Sequence, residues 1–381
     1  MRRMVRDKKK LHAAKMRGNR KQSSKMIRKA KRLDLKYPAT RKNPKGNCSQ
    51  RRFIFVQAPE GIDLYSKKQH TKTMLFVNRL KAAAKQASEQ KRPIKLCFRH
   101  TNRISATGGI YLYAITDSLI AMYPNIEFTV IHPPKKPNHV SHENLSVVQA
   151  VLKRINYYKL IGAKAPKVKE LPHVDCWVTA QAEKVDSDLL GGAIQKLGQY
   201  GIDTSDLFRS GIEAMSNASE HAYDTELQTH RVFPKKHWWL FTAILEKRLI
   251  VYICDLGHGI PVTMPHKHKE SVLRKIRDKI TDGLGSLSNS SSLLTGDVFQ
   301  IQASTLVKET RTELGHRGKG GGDIRCFIDN NKKGQLVILS NKGIFKYKAT
   351  SRKQGLGMGL NAKHSIDGTI VGWTVPINEE I

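Results

Sequence analysis

Cysteine is scarce in this 381-residue chain, and its five copies are scattered at Cys48, Cys97, Cys176, Cys254 and Cys326. The number is odd and no CxxC pair exists. That argues against a disulfide framework and against a zinc site, and predicts reduced, mostly buried thiols in a cytosol. Long apolar runs are missing too. The most apolar stretch, "HWWLFTAILEKRLIVYICD", is interrupted by Glu246, Lys247 and Arg248, so it reads as two strands and a turn instead of a membrane helix. The N-terminus is basic with no apolar segment behind it, which argues against a secretory signal. Acidic residues are few: 32 Asp and Glu stand against 67 Lys and Arg, a net charge of +35. A field of that sign attracts polyanions such as DNA, RNA or an anionic membrane surface. Hydrophobic residues at 39% and charged residues at 26% still predict that most of the chain folds, with length enough for two domains.

Residues 1–52 hold about twenty Lys and Arg against Asp7 and Asp34. Such a block cannot bury enough apolar surface to order itself alone. It reads either as a phosphate-contacting arm for nucleic acid or as a solubilising tail. With Tyr37 its only aromatic residue, base stacking finds no support. From residue 53 the texture changes. "RFIFVQAPEGIDL", "PIKLCFRH" and "IEFTVIHPP" read as strands. "KTMLFVNRLKAAAKQ" reads as a helix with Met74, Leu75, Val77, Leu80 and Ala84 near one side. "GGIYLYAITDSLIAMYP" reads as a helix opened by a glycine pair, and "ENLSVVQAVLKRINYYKLI" as a helix broken near its start. The alternation predicts an α/β unit. Its histidines, His100 and His132, have no partners close in sequence and read as structural.

The informative residues lie further on. In "SGIEAMSNASEHAY", Glu213 and Asn217 are four apart and share a helix face, with Glu220 and His221 continuing near it. Ile212, Met215 and Ala222 fall on another stripe, spaced to enter a core. Taken alone, this helix reads as a solvated polar face. "RLIVYICDLGHGIP" reads as a central strand ending at Asp255, with Gly257 and Gly259 in a tight turn. A carboxylate at a strand end can accept from a buried amino group, and glycines let backbone approach a flat ring. "GHRGKGGGDIRCFID" leads a glycine-rich loop into a helix near Asp323, offering N–H donors and Lys319 to phosphate. It lacks the GK[ST] of a Walker A loop and the preceding strand of a dinucleotide fingerprint. "QLVILSNKGIFKYK" and "GTIVGWTVPI" suit an antiparallel sheet. His266 and His268 sit two apart with no third ligand in view, so no metal site is expected there.

Read together, these segments resemble the GHKL ATPases, the family of gyrase, heat-shock chaperones, histidine kinases and mismatch-repair proteins. The likeness covers about residues 186–381. "EAMSNASEH" looks like the N box, "DLGHGIP" and "RGKGGG" like the two glycine boxes, and "GTIVGWTVP" like the closing Gly-Thr strand. The resemblance implies ATP and Mg²⁺ as cofactors. Asn217 would coordinate the Mg²⁺ that bridges the phosphates. Glu213 would position or deprotonate the group attacking the γ-phosphate. Asp255 would bind the adenine amino group, with Gly257 and Gly259 near the base. Gly318, Lys319, Gly320 and Gly322 would cradle the phosphates, and Thr369 would support the adenine pocket. Residues about 262–317 would correspond to the ATP lid, here a long basic segment with one amphipathic helix, "ESVLRKIRDKI".

The likeness has departures. "SDLLGGAIQKLGQYGI" offers no histidine, so autophosphorylation on His is not expected. Gly321 stands where many members carry Leu, and no transducer domain is expected before the end at Ile381. Residues 53–165 resemble STAS domains in element order and in the "PIKLCF" strand followed by a loop and a long helix, which implies a regulatory or interaction module and carries over no site residue.

The expected fold is α+β: a basic, disordered arm over 1–52, a STAS-like α/β domain over 53–185 and a Bergerat-type two-layer α/β sandwich over 186–381. The expected function is a Mg²⁺-dependent ATPase or ATP-driven switch in the cytoplasm. It would be non-membrane, with a regulatory protein partner and nucleic acid as a partner of residues 1–52. Two alternatives stand beside it: a serine/threonine kinase of the anti-sigma-factor type, and a nucleic-acid-binding module with ATP as regulatory ligand.

Overall fold

Two main sheets organise the described residues, with a short two-stranded pair beside the smaller one and helices between and beside them. The computed structural model describes residues 53–133, 147–167, 178–198, 204–227, 229–245, 247–284, 294–311, 323–331, 334–349 and 357–377. Residues 1–52, read as the basic arm, lie outside them, and residues 52–381 form one compact unit. The smaller sheet is parallel, in the order β1 (Ile54–Gln57), β3 (Ile94–Cys97), β5 (Phe128–Ile131). β2 (Gly61–Ile62) pairs with β4 (Arg103–Ile104) beside it. Helices α1 (Lys67–Gln90) and α2 (Ala106–Met122) make the crossovers that parallel strands require.

α1 buries Met74, Val77, Leu80 and Ala84 as the periodicity predicts, but Leu75 is 48% exposed and Phe76 takes the inward position. α2 is not opened by its glycine pair. Ser105 is the N-cap, its Oγ accepting from Gly108 N at 3.1 Å. Gly108 sits inside the first turn because a Cβ there would stand 2.3 Å from Ile62 O. The next helical stretch is broken in its middle, between α3 (Val147–Arg154) and α4 (Tyr157–Leu160), where Asn156 adopts a left-handed φ of 56°. His132 Nδ1 lies 3.2 Å from the Tyr158 hydroxyl, a structural contact.

The larger sheet has seven strands in the order β11-β10-β9-β12-β8-β7-β6, each pair antiparallel. They are β6 (Val178–Ala182), β7 (Trp238–Leu245), β8 (Arg248–Asp255), β9 (Gln335–Ser340), β10 (Gly343–Tyr347), β11 (Met358–Asn361) and β12 (Thr369–Pro376). β6 belongs to this sheet although it precedes residue 186. Antiparallel sheets commonly leave one face to water. This one covers both, which is why β7 and β8 read as near-continuous apolar runs. Trp239, Phe241, Tyr252, Cys254 and Ile370 join the core of residues 56–161, while Trp238, Leu240, Val251, Ile253 and Val371 join the core on the opposite face. α2 lies between the small unit and the large sheet, and almost all its residues from Thr107 to Leu119 are buried. Its one buried carboxylate, Asp117, accepts from Lys235 Nζ at 2.8 Å on both oxygens and from Trp239 Nε1 at 3.0 Å. On β12, Gly372 stands opposite Tyr252, whose ring occupies the place of a Cβ; the Tyr252 hydroxyl is 2.6 Å from that of Tyr65.

The opposite face carries α5 (Ser187–Gly198), α6 (Ser205–Glu220), α7 (Ile260–Lys267), α8 (Glu270–Leu284), α9 (Gly296–Arg311) and α10 (Asp323–Asn330). In the segment 262–317, expected as a long loop with one helix, the described residues are largely helical. Ile276 and Ile280 on α8, with Val298, Phe299, Ile301 and Leu306 on α9, enter the core. The fold is thus mixed α and β. Among the described residues no helix is long and apolar enough to cross a membrane.

Candidate functional site

α6 presents the arrangement its sequence predicts. Leu207, Gly211, Ala214, Met215 and Ala218 turn into the core. Ile212 is partly buried against it. On the other side, Asn217 Nδ2 donates to Glu213 O and to Glu213 Oε1, each at 3.0 Å. That bond fixes the carboxamide against the carboxylate and leaves the Asn217 carbonyl oxygen as the acceptor for a cation. Both residues line a cavity of about 440 Å³, together with Asp255, Gly259, Lys267 and Thr369. Glu220 and His221 line it too. Glu220 accepts from Ser216 Oγ at 2.6 Å, and its second oxygen is 3.6 Å from His221 Nε2. Burial pushes the His221 imidazole below its ordinary value, and Lys267 adds to the effect.

Asp255 ends β8 and stands opposite Thr369 on β12. Its Oδ1 accepts from Gly257 N at 2.9 Å. Burial pushes the carboxyl up to about 6, against the opposing pull of the Gly257 N–H, Arg231 and Thr369. Thr369 Oγ1 is 3.0 Å from Ser340 Oγ, and Ser340 Oγ accepts from Ile260 N at 2.9 Å. Gly259 has φ of +82°, and a Cβ there would meet the Asn341 side chain at 2.7 Å. Gly257 does not line the cavity. It lies against the backbone of Ala222, where a Cβ would fall 2.1 Å from the carbonyl oxygen. Its part is to let the turn after β8 close against the end of α6.

Glu213, Asn217, Asp255, Gly259 and Thr369 therefore meet at one cavity, from three parts of the chain. Gly318, Lys319, Gly320 and Gly322, expected to cradle phosphates, lie outside the described residues; α10 begins just after them, at Asp323.

Three participants escape sequence reasoning. His258 is buried at 3% exposure, its Nε2 3.0 Å from Asp224 O and its Nδ1 3.1 Å from Thr229 Oγ1. It clamps the glycine turn to the segment after α6. Arg231 donates to Leu256 O at 3.0 Å, to Gly257 O and to Asp367 O at 2.8 Å. Partners 136 residues away leave no local pattern. Lys267 ends α7 and brings a positive charge to the cavity wall, one turn beyond Thr263, which lines it too. His266, for which the sequence offered no third ligand, has its ring within 4.8 Å of the carboxylates of Asp224 and Glu226. The histidine and Glu226 are exposed, a grouping common without an ion.

The chemistry of the cavity fits a nucleotide with a divalent cation. It offers a buried carboxylate and a threonine at one end of the sheet, a paired carboxylate and carboxamide on a helix, and one ammonium group. No protein-family model matches the chain, and no curated protein or solved structure shows significant similarity to it.

Proposed function

We propose that this cavity binds ATP with Mg²⁺, and that the chain is a GHKL-type ATPase or ATP-driven regulatory switch with a Bergerat-type C-terminal layer and a STAS-like N-terminal one. The observation that carries the reading is the convergence of Glu213, Asn217, Asp255 and Thr369 on one cavity. Bound Mg²⁺ would supply charge neutralisation at the phosphates. Asn217 would hold it through its carbonyl oxygen. Glu213, kept beside Asn217 by their shared hydrogen bond, would orient or deprotonate the attacking water or hydroxyl. Asp255 would accept from the exocyclic amino group of the base, with Thr369 at its side. Lys267 would face the phosphates, joined by the glycine-rich loop at 318–322. The reaction would take place in the cytoplasm.

A second reading keeps the same residues and changes the acceptor: phosphoryl transfer to a serine or threonine of a regulatory protein, as in the anti-sigma kinases. It is favoured by the close packing of the small α/β unit on the large sheet. The charge of residues 1–52 supports nucleic acid as a further partner.

Calorimetry with a slowly hydrolysed ATP analogue tests the reading. Binding should require Mg²⁺ and weaken at least about tenfold in Asn217→Ala, the loss of one cation ligand. Glu213→Ala should bind nearly as well and lose turnover. A chain lacking residues 1–52 should bind nucleotide normally and lose salt-sensitive retention on nucleic acid. An intact chain that binds no adenine nucleotide under any condition overturns the proposal.

A further inference from the structure

The loop from α6 to β7 carries Arg231 behind the cavity wall, outside the cavity itself. Two of its three acceptors, Leu256 O and Gly257 O, belong to the turn that follows Asp255. The third, Asp367 O, precedes Gly368 and Thr369. Gly368 is pressed so closely on β8 that a Cβ would fall 2.2 Å from Asp255 O. One planar group thus spans the two strand ends that carry the Asp255 carboxylate and the Thr369 hydroxyl. A guanidinium can do this because its donors are fixed in one plane; an ammonium is a single point with a flexible stem. Arg231 is itself held, its guanidinium 5.1 Å from the centre of the Phe233 ring. The turn it grips is anchored to α1 and α2. Lys81 Nζ donates to the Asp367 carboxylate at 3.1 Å, and the Tyr111 hydroxyl donates to Ile366 O at 2.7 Å.

We propose that Arg231 is a positioning residue for base recognition. By locking the Leu256–Gly257 turn to the Asp367 turn, it aims the Asp255 carboxylate at an exocyclic amino group, and so selects adenine over a base with a carbonyl at that edge. This deepens the nucleotide reading and rests on it.

The test uses the full chain with Arg231→Gln and Arg231→Lys. The first readout needs no ligand: the titration of the Asp255 carboxyl followed by carbon-13 NMR, with Asp255→Asn assigning the resonance. Among the described residues, the ionisable groups coupled to Asp255 are Arg231, Tyr223 and Cys254. Burial pushes both Tyr223 and Cys254 upward, so both stay neutral through this titration. Removing the guanidinium should move the Asp255 midpoint up in Arg231→Gln and leave it nearer its native place in Arg231→Lys. The second readout is the ratio of affinities for an ATP analogue and its inosine counterpart. It should shrink at least about fivefold in Arg231→Gln, in the range expected when one hydrogen-bonded contact is misplaced, and less in Arg231→Lys. A merely structural role would lower stability and leave this ratio alone. A folded Arg231→Gln variant with an unmoved Asp255 titration and an unchanged ratio overturns the proposal. If the native chain binds neither nucleotide, base recognition by Asp255 fails and this proposal with it, even where the Asp255 midpoint moves; binding without a change in ratio rejects the Arg231 role alone.

Discussion

Asp255 shows what burial does to one side chain. An ordinary carboxyl titrates at 3.8, and this one is raised to about 6. The folded state therefore binds the proton more tightly than the unfolded chain. Its contribution to stability is fully present below about pH 4 and is lost as the pH rises through 6. Over the whole window, from about pH 3 to about pH 7, the gain should reach about 3 kcal/mol in the native chain, from a shift of about two units. Urea unfolding at pH 4.5 and 7 should show that gain reduced or gone in Asp255→Asn. Nucleotide affinity should run the opposite way, falling as the pH drops through 6, because the ionised carboxylate accepts from an amino group more strongly than the neutral acid does. Equal pH profiles for the native chain and Asp255→Asn would remove Asp255 from the site. The position of Asp255 was legible in the sequence: eight mostly apolar residues ending in Asp-Leu-Gly declare a strand and its turn. The support from Arg231 was not, because its hydrogen bonds reach carbonyl groups, which any residue type would supply.

Helix α2 was legible as a helix from its apolar run. What it touches was not. Asp117 is the one carboxylate among those buried side chains, and its partners, Lys235 and Trp239, come from another part of the chain. Asp117→Ala would strand a partly buried ammonium and an indole N–H. The expected cost is about 3 kcal/mol, the lower end for breaking a buried pair, since the Lys235 side chain keeps 23% of its exposure. Denaturant unfolding should show a lower midpoint at unchanged slope. A loss under about 1 kcal/mol would put the pair with ordinary surface ion pairs. α9 is the opposite case. Gln302 and Thr305 are buried on it among the apolar residues, so polar letters at inward positions hid its period. The length of the surrounding segment and its Ser/Gly-rich middle point to a loop instead.

In the assembled chain, the boundary at residues 185 and 186 expected from the family resemblance falls within one sheet. β6 pairs with β7 across it, and the apolar face formed by Trp239, Phe241, Tyr252 and Ile370 is covered by residues between Val56 and Ile161. Alternation within single strands could show that two faces were apolar, but not which segment covered each. A fragment of residues 178–381 should therefore expose that face, bind a hydrophobic dye strongly and precipitate, while residues 52–381 stay soluble and dye-silent. A soluble, dye-silent fragment would show that the small unit is dispensable to the sheet. The same close fit restricts heredity. Gly372 has room for hydrogen alone because the Tyr252 ring fills the space beside it, and the Tyr252 hydroxyl in turn meets Tyr65. A descendant that gains a side chain at 372 must shrink the residue at 252, and Tyr65 then loses its partner. Three positions spread over three hundred residues are thus bound to change as a set, and each blocks the drift of the other two.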